Sequence, residues 1–279
     1  MNGIIRVFPH RTSYTPEDEY AFVGMPPLAL PEHREVHISG TFSWDKSACD
    51  ELAFQWEGRT DKPVKLGGPA YNSPAICFIP GLYIKPNIIF TTRGCNNRCP
   101  HCIVPSIKGR LRELPIHPGN TIQDNNFLQS SRAHKDKVFD MLKAQRGIVF
   151  AGGLQADLVD DHFVDAVRGL SIDKMWLACD SDTALPAFKK SAQKLTAAGF
   201  NREKIRCYVL VHGDKEKDEA RLLEVYHVGA MPMAMLYRDF GDEKTVYPKD
   251  TEVWARQWIR PAAIISHVER GTLYGNFND

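Results

Sequence analysis

Thr91-Thr92-Arg93-Gly94-Cys95-Asn96-Asn97-Arg98-Cys99-Pro100-His101-Cys102 is the stretch on which the reading of this chain turns. It packs three cysteines into a C-x3-C-x2-C triplet directly after Ile88–Thr92, an apolar run that predicts a strand. Thiolates suit iron–sulfur clusters and zinc. Three of them on one short loop can hold three irons of a cubane and leave the fourth open to an exogenous ligand. Structural zinc instead closes a tetrahedron, usually from two separated pairs. No second C-x2-C or H-x3-H pair exists, so zinc needs His101 or a distant cysteine as fourth ligand. The other cysteines, Cys49, Cys77, Cys179 and Cys207, have no ligand-like spacing and read as ordinary buried or half-buried thiols. Seven is an odd count and a poor disulfide framework.

Downstream, short apolar segments alternate with amphipathic ones. Strands are predicted at Ile88–Thr92, Thr121–Gln123, Ile148–Ala151, Lys174–Ala178, Ile205–Val211 and Met233–Leu236. Helices are predicted at Arg132–Gln145, Ala187–Ala198 and Glu216–His227, the last two stopped by Gly199 and Gly229. Such alternation implies parallel strands with helical crossovers, an α/β fold. Six units predict a partial (β/α)6 barrel over 86–245, whose working residues belong at the C-terminal strand ends.

Upstream, 1–85 opens with a proline-rich stretch and then holds a small α/β unit: a strand at Val36–Gly40, a helix at Asp45–Trp56 and a strand at Val64–Leu66. Residues 246–279 read as a C-terminal extension. The 35 Lys and Arg nearly balance 34 Asp and Glu, giving a formal charge of +1 and no global field for nucleic acid or anionic membrane. The longest apolar runs, such as Pro74–Ile84, are too short and too interrupted to span a bilayer, and no signal peptide is evident. A cytoplasmic protein without membrane contact is expected.

The cysteine triplet resembles the signature of the radical S-adenosylmethionine (SAM) superfamily, in which an aromatic-type residue precedes the last cysteine; His101 fills that place here, less commonly than Tyr or Phe. The resemblance implies a [4Fe–4S] cluster on Cys95, Cys99 and Cys102. It also implies SAM as cofactor, reductive cleavage of SAM to methionine and a 5′-deoxyadenosyl radical, and an external electron donor of the reductase or flavodoxin type. The cofactor brings the difficult chemistry, and the protein orients it and excludes water.

The same resemblance points to SAM-binding positions at the strand ends. Asp124-Asn125-Asn126-Phe127 is similar to the Asp-Asp-Asn-Phe end of members related to methylthiotransferases and cobalamin-dependent enzymes, and is assigned to the SAM amino group. Gly152-Gly153 takes the third-strand position, where missing side chains admit SAM or substrate. Asp180 after the fourth strand is a candidate for the ribose hydroxyls, with a helix N-cap as its alternative. Tyr208–Val211 are candidates to pack the adenine, or simply core. Tyr237 and Arg238 after the sixth strand are the candidate catalytic residues, suited to a substrate anion or the SAM carboxylate, with a surface ion pair as the alternative.

Lys108-Gly109-Arg110-Leu111-Arg112, near Arg93 and Arg98, is the most basic stretch, suited to phosphates or simply solvated. The histidines other than His101 show no ligand-like grouping and read mostly as surface residues. The N-terminal unit is similar in outline to the cobalamin-binding domain of some members, but it is too short and lacks Asp-x-His-x-x-Gly, so cobalamin is not expected.

Across nearly its full length the chain resembles short radical SAM proteins of bacteria and phages, some linked to hypermodification of thymine in phage DNA. The implied reaction is rearrangement or decarboxylation of an amino-acid-modified thymine, in the host cytoplasm if phage-encoded, with isomerase, lyase and transferase classes all open. A peptide or small metabolite is the alternative substrate, and a zinc or iron–sulfur binding module the non-enzymatic one.

Overall fold

The computed structural model describes residues 3–71, 78–239 and 245–270. Cys77 and residues 271–279 of the expected C-terminal extension lie outside them. The chain divides into two compact units between Ile89 and Phe90.

The first unit contains β1 (Ile4–Phe8), β2 (Ala21–Val23), β3 (Glu35–Ser39), α1 (Lys46–Glu57) and β4 (Val64–Gly67). Its strands form one parallel sheet in the order β2-β1-β3-β4. The strand that organises it, β1, is absent from the sequence-based expectation. Ile4-Ile5-Arg6-Val7-Phe8 carries the β-branched signal, but the prolines that follow draw attention away from it. Helix α1 buries Cys49, Leu52, Ala53 and Trp56, a three-and-four spacing that makes one face, against Ile5, Val7, Val36 and Ile38. Each such fully buried aliphatic side chain contributes roughly 1.5–3 kcal/mol. The Trp56 indole N–H donates to the Gly24 carbonyl at 3.1 Å, so burying the ring leaves no orphan donor.

The second unit holds β6 (Thr92–Arg93), α2 (Val104–Lys108), β7 (Arg112–Glu113), β8 (Thr121–Ile122), α3 (Arg132–Leu142), β9 (Ile148–Gln155) and α4 (Asp161–Arg168). It continues with β10 (Ile172–Ala178), α5 (Leu185–Ala197), β11 (Ile205–Val211), α6 (Lys215–His227), β12 (Met231–Leu236), α7 (Lys249–Gln257) and α8 (Pro261–Arg270). β5 (Ile88–Ile89) closes the first unit, and the large sheet of the second runs β12-β11-β10-β9-β8. Every pairing from β8 to β12 is parallel. The parallel α/β architecture expected from the alternation is therefore present, as a sheet whose strands follow chain order. The predicted strand Ile88–Thr92 is instead two short pieces, because β6 leaves the sheet to pair antiparallel with β7.

The two faces of this sheet differ. Along β11, Ile205, Cys207, Val209 and Val211 are fully buried, while Arg206, Tyr208 and Leu210 alternate with them half-buried. The fully buried face continues through Met175 and Leu177 of β10 and Phe150 of β9. Phe150 joins Phe127, Phe139 and Phe163 in an edge-on and tilted ring cluster beneath α3 and α4. On the half-covered face Trp176 stacks on Tyr208, ring centres 4.4 Å apart. Within the C-terminal extension, the Trp258 carbonyl at the end of α7 accepts from the Ala234 N–H of β12. No described helix is long and apolar enough to cross a membrane.

Candidate functional site

Between β6 and β7 the chain makes a closed loop that carries all three clustered cysteines. Gly94 opens it at φ +85°, and a Cβ there would lie 2.3 Å from the Arg110 carbonyl oxygen, so only glycine lets the two ends of the loop meet. The Cys95 N–H donates to the Gly109 carbonyl at 3.1 Å, and the Leu111 N–H donates to Asn96 Oδ1 at 3.2 Å. Cys95, Cys99 and Cys102 are each half-buried. Burial, then neighbouring thiols and Asp180, push the Cys99 thiol up; burial does the same at Cys102. Both are thiols that a bound metal has to deprotonate. Cys49, Cys179 and Cys207 are fully buried, as expected for ordinary core thiols, and burial raises the first two to about 11 and about 12.

Beneath the loop lies the end of β8. Asp124 is 2% exposed: its Oδ1 accepts from the Thr91 N–H at 2.7 Å, and its Oδ2 from the Thr91 and Thr92 hydroxyls at 2.5 and 2.9 Å. Burial raises its pKa and these donors pull against it. Both oxygens are thus spent on holding the strand that leads into the cysteine loop. This corrects the assignment of Asp124 to a ligand: it braces the loop from below. Asn125 Oδ1 accepts from the Gly94 N–H at 3.1 Å and pins the loop's first turn.

Asn126 is the residue of this triplet that touches the cysteines. Its Nδ2 donates to Cys95 Sγ at 3.7 Å and to Gln155 Oε1 at 2.7 Å, while its Oδ1 is buried without a hydrogen-bond partner. Gln155 Oε1 also accepts from Asn97 Nδ2 at 2.8 Å and Gln129 Nε2 at 2.9 Å. Gln129 in turn accepts the Asn96 N–H at 2.8 Å and donates to Asn97 Oδ1. Four amides from three elements therefore fix the loop, with Gln155 as their common acceptor. Neither glutamine is among the residues expected from sequence. β9 runs past the predicted end at Ala151 to Gln155, so the glutamine sits at the C-terminal strand end where a functional residue belongs.

Gly152 is needed for packing: a Cβ there would lie 1.7 Å from the Asp124 carbonyl oxygen, so the missing side chain admits the backbone that follows β8. Gly153 differs: a Cβ would meet only Ala178 Cβ at 3.6 Å. Asp180 is half-buried and lies 3.6 Å from His101 Nε2, joining the end of β10 to the cysteine loop. Burial raises its carboxyl pKa, and the His101 charge opposes that. It is not a helix N-cap; Ser181 takes that position. Tyr237 and Arg238 follow β12. The Tyr237 ring lies against His212 and its carbonyl accepts from the Tyr247 hydroxyl at 2.7 Å; Arg238 is exposed.

Lys108 and Arg112 of the basic stretch and the nearby Arg93 feel one another's charge. Burial and the charges of Arg93 and Arg112 lower the Lys108 pKa, and burial brings Arg93 to about 10 with its guanidinium 3.4 Å from the Phe90 ring centre. Four histidines are exceptions to the mostly surface placing expected from sequence. His37, His134, His162 and His267 are largely enclosed and face Glu35, Glu113, Asp136 and Glu219 respectively.

Among the described residues no three His, Cys, Asp or Glu side chains gather so as to hold a single metal ion. What the loop offers is three half-buried thiols, an N–H from Asn97 to Cys95 Sγ at 3.4 Å, and the Asn126 amide on the same sulfur. N–H donors on sulfur are the environment that stabilises a thiolate-bound iron–sulfur cluster, and this donor set fits one. The chain matches no protein-family model and no curated protein.

Proposed function

We propose that this chain is a radical SAM enzyme whose second unit is a partial (β/α)6 barrel, with a [4Fe–4S] cluster on Cys95, Cys99 and Cys102. The observation that carries the reading is the pairing, at one place, of three half-buried thiols with a buried, unpartnered Asn126 oxygen. When bound, the cluster supplies the electron that breaks the sulfonium bond of SAM, releasing methionine and a 5′-deoxyadenosyl radical. An external reductase or flavodoxin-type protein delivers that electron.

The chain's own residues set the geometry. Asn126 Oδ1 is the acceptor offered to the SAM ammonium, and its Nδ2 holds the Cys95 sulfur. Asp180, tied to His101, is the acceptor offered to the ribose hydroxyls. Trp176 and Tyr208 form an aromatic wall on the half-covered face, where water must be excluded. The cations Arg93, Lys108 and Arg112 beside the loop suit the backbone phosphates of DNA that carries an amino-acid-modified thymine. A peptide or small metabolite is the second substrate class.

Anaerobic reconstitution followed by dithionite and SAM tests the chemistry: 5′-deoxyadenosine is the expected product, and a reduced, iron-loaded sample that never forms it sinks the proposal. Deuterium transfer from modified thymidines into 5′-deoxyadenosine tests the substrate; transfer from a peptide or metabolite alone removes the DNA reading. Within the site, Asn126→Ala is expected to weaken SAM binding by about tenfold or more, since a hydrogen bond to a charged group contributes roughly 1.5–3 kcal/mol. Equilibrium dialysis with labelled SAM measures it, and native affinity in the variant removes Asn126 from the SAM site.

A further inference from the structure

The first unit has a crevice of its own, and its contents point to a ligand. Its parallel strands run β2-β1-β3-β4, so the chain steps one way from β1 to reach β2 and the other way to reach β3. In open parallel sheets such a reversal leaves a crevice beyond the C-terminal strand ends, where ligands bind. Here the residues leaving β1 and β3 line a cavity of about 220 Å³, walled by Tyr14, Tyr83 and Phe42.

Asp45 lines this cavity and is 7% exposed. It ends the 3-10 turn Ser43–Asp45 that leads into α1, with helical backbone at φ −88° and ψ −5°, and its side chain accepts no helix N–H. Its Oδ1 faces His10 Nδ1 at 3.8 Å, too far for a hydrogen bond, and its Oδ2 is buried with no partner. A carboxylate so placed costs free energy unless a cation or donor meets it. Among the described residues, no lysine or arginine lines the cavity. Phe42, 38% exposed, stacks on Trp44 with ring centres 4.6 Å apart and presents aromatic surface at the same place.

We propose that this cavity binds a small organic ammonium, with Asp45 as its counter-charge and the aromatic rings as its apolar wall. A protonated amine satisfies the orphan oxygen with a charge-assisted hydrogen bond. Aromatic faces attract the same cation and do nothing for an anion. Nucleotide phosphates are disfavoured here because Asp45, the buried charged group among the described lining residues, is negative. The site belongs to the first unit alone and stands whether or not the cysteine loop holds a cluster.

The test uses the full chain and three probes of one shape: benzylamine, benzyl alcohol and benzoate, titrated calorimetrically near neutral pH. Benzylamine is expected to bind at millimolar concentration, benzyl alcohol about tenfold more weakly, and benzoate not at all. Asp45→Asn is expected to reduce benzylamine binding about tenfold and leave benzyl alcohol unchanged. Should that variant fail to fold, Phe42→Ala, at a partly exposed ring, is expected to weaken benzylamine several-fold. Absence of benzylamine binding, equal binding of all three probes, or native benzylamine affinity in the variant that folds overturns the proposal.

Discussion

Cys99→Ala, reconstituted anaerobically with iron and sulfide, is expected to lose its cluster and with it all SAM cleavage. The native chain is expected to hold about four irons, the content of a [4Fe–4S] cubane. Cys95→Ala and Cys102→Ala should behave alike, because each thiol anchors a separate iron and two anchors leave half the cluster exposed. The loop itself should survive. Its neck is held by Gly94, by Cys95 N–H to the Gly109 carbonyl and by the Asn125 and Asn126 amides, none of which involves the Cys99 sulfur. Loss of iron without loss of fold, read by visible absorbance and circular dichroism, therefore separates ligation from structure. Cys179→Ala and Cys207→Ala are the controls: both thiols are fully buried, so they should cost stability and leave the iron content unchanged. One zinc per chain in the native protein, retained through reconstitution, decides for the structural zinc alternative.

The second large effect concerns stability. Gly152→Ala is expected to cost about 3–5 kcal/mol, and Gly153→Ala less than about 1 kcal/mol. The pairing of Ile122 with Phe150 carries forward to set Asp124 opposite Gly152. A methyl group at Gly152 would lie 1.7 Å from the Asp124 carbonyl oxygen and 2.8 Å from its carbon. Both clashing groups are backbone, so relief requires the end of β8 to move. Moving it pulls the Asp124 carboxylate away from Thr91 and Thr92, leaving buried donors unpaired at roughly 1–3 kcal/mol each. The neighbouring glycine has only Ala178 Cβ at 3.6 Å, an ordinary contact. Denaturant midpoints of the two variants measure the difference. Equal midpoints would show that β8 and β9 do not approach as closely as described.

How these residues divide their roles was only partly legible in the chain. Asp124 and Gly152 look like ligand contacts when each is read alone, since a carboxylate beside asparagines and a glycine pair at a strand end both suit SAM. They turn out to be two sides of one backbone approach, which no local pattern encodes because they lie on different strands. Gln155 was hidden for a related reason. Local β-propensity falls at Gly152-Gly153 and suggests an end, whereas pairing with β10 resumes at Leu154 and carries the strand to Gln155. β1 was missed in the opposite way: its signal is present, but its importance comes from two parallel neighbours that arrive later in the chain.

The alternation of strands and helices in the second unit, the parallel character of its large sheet and the placing of three thiols on a loop after a short strand were legible in the sequence alone. Hydrophobic periodicity and ligand spacing are short-range properties, written into consecutive residues. Tertiary structure decided which polar side chains remain free. Asp124 is consumed by Thr91 and Thr92, Asn126 keeps one oxygen, and Asp45 keeps a buried oxygen at a cavity. Whether a buried polar atom finds a partner depends on strands distant in sequence and adjacent in space, and only the folded chain brings them together.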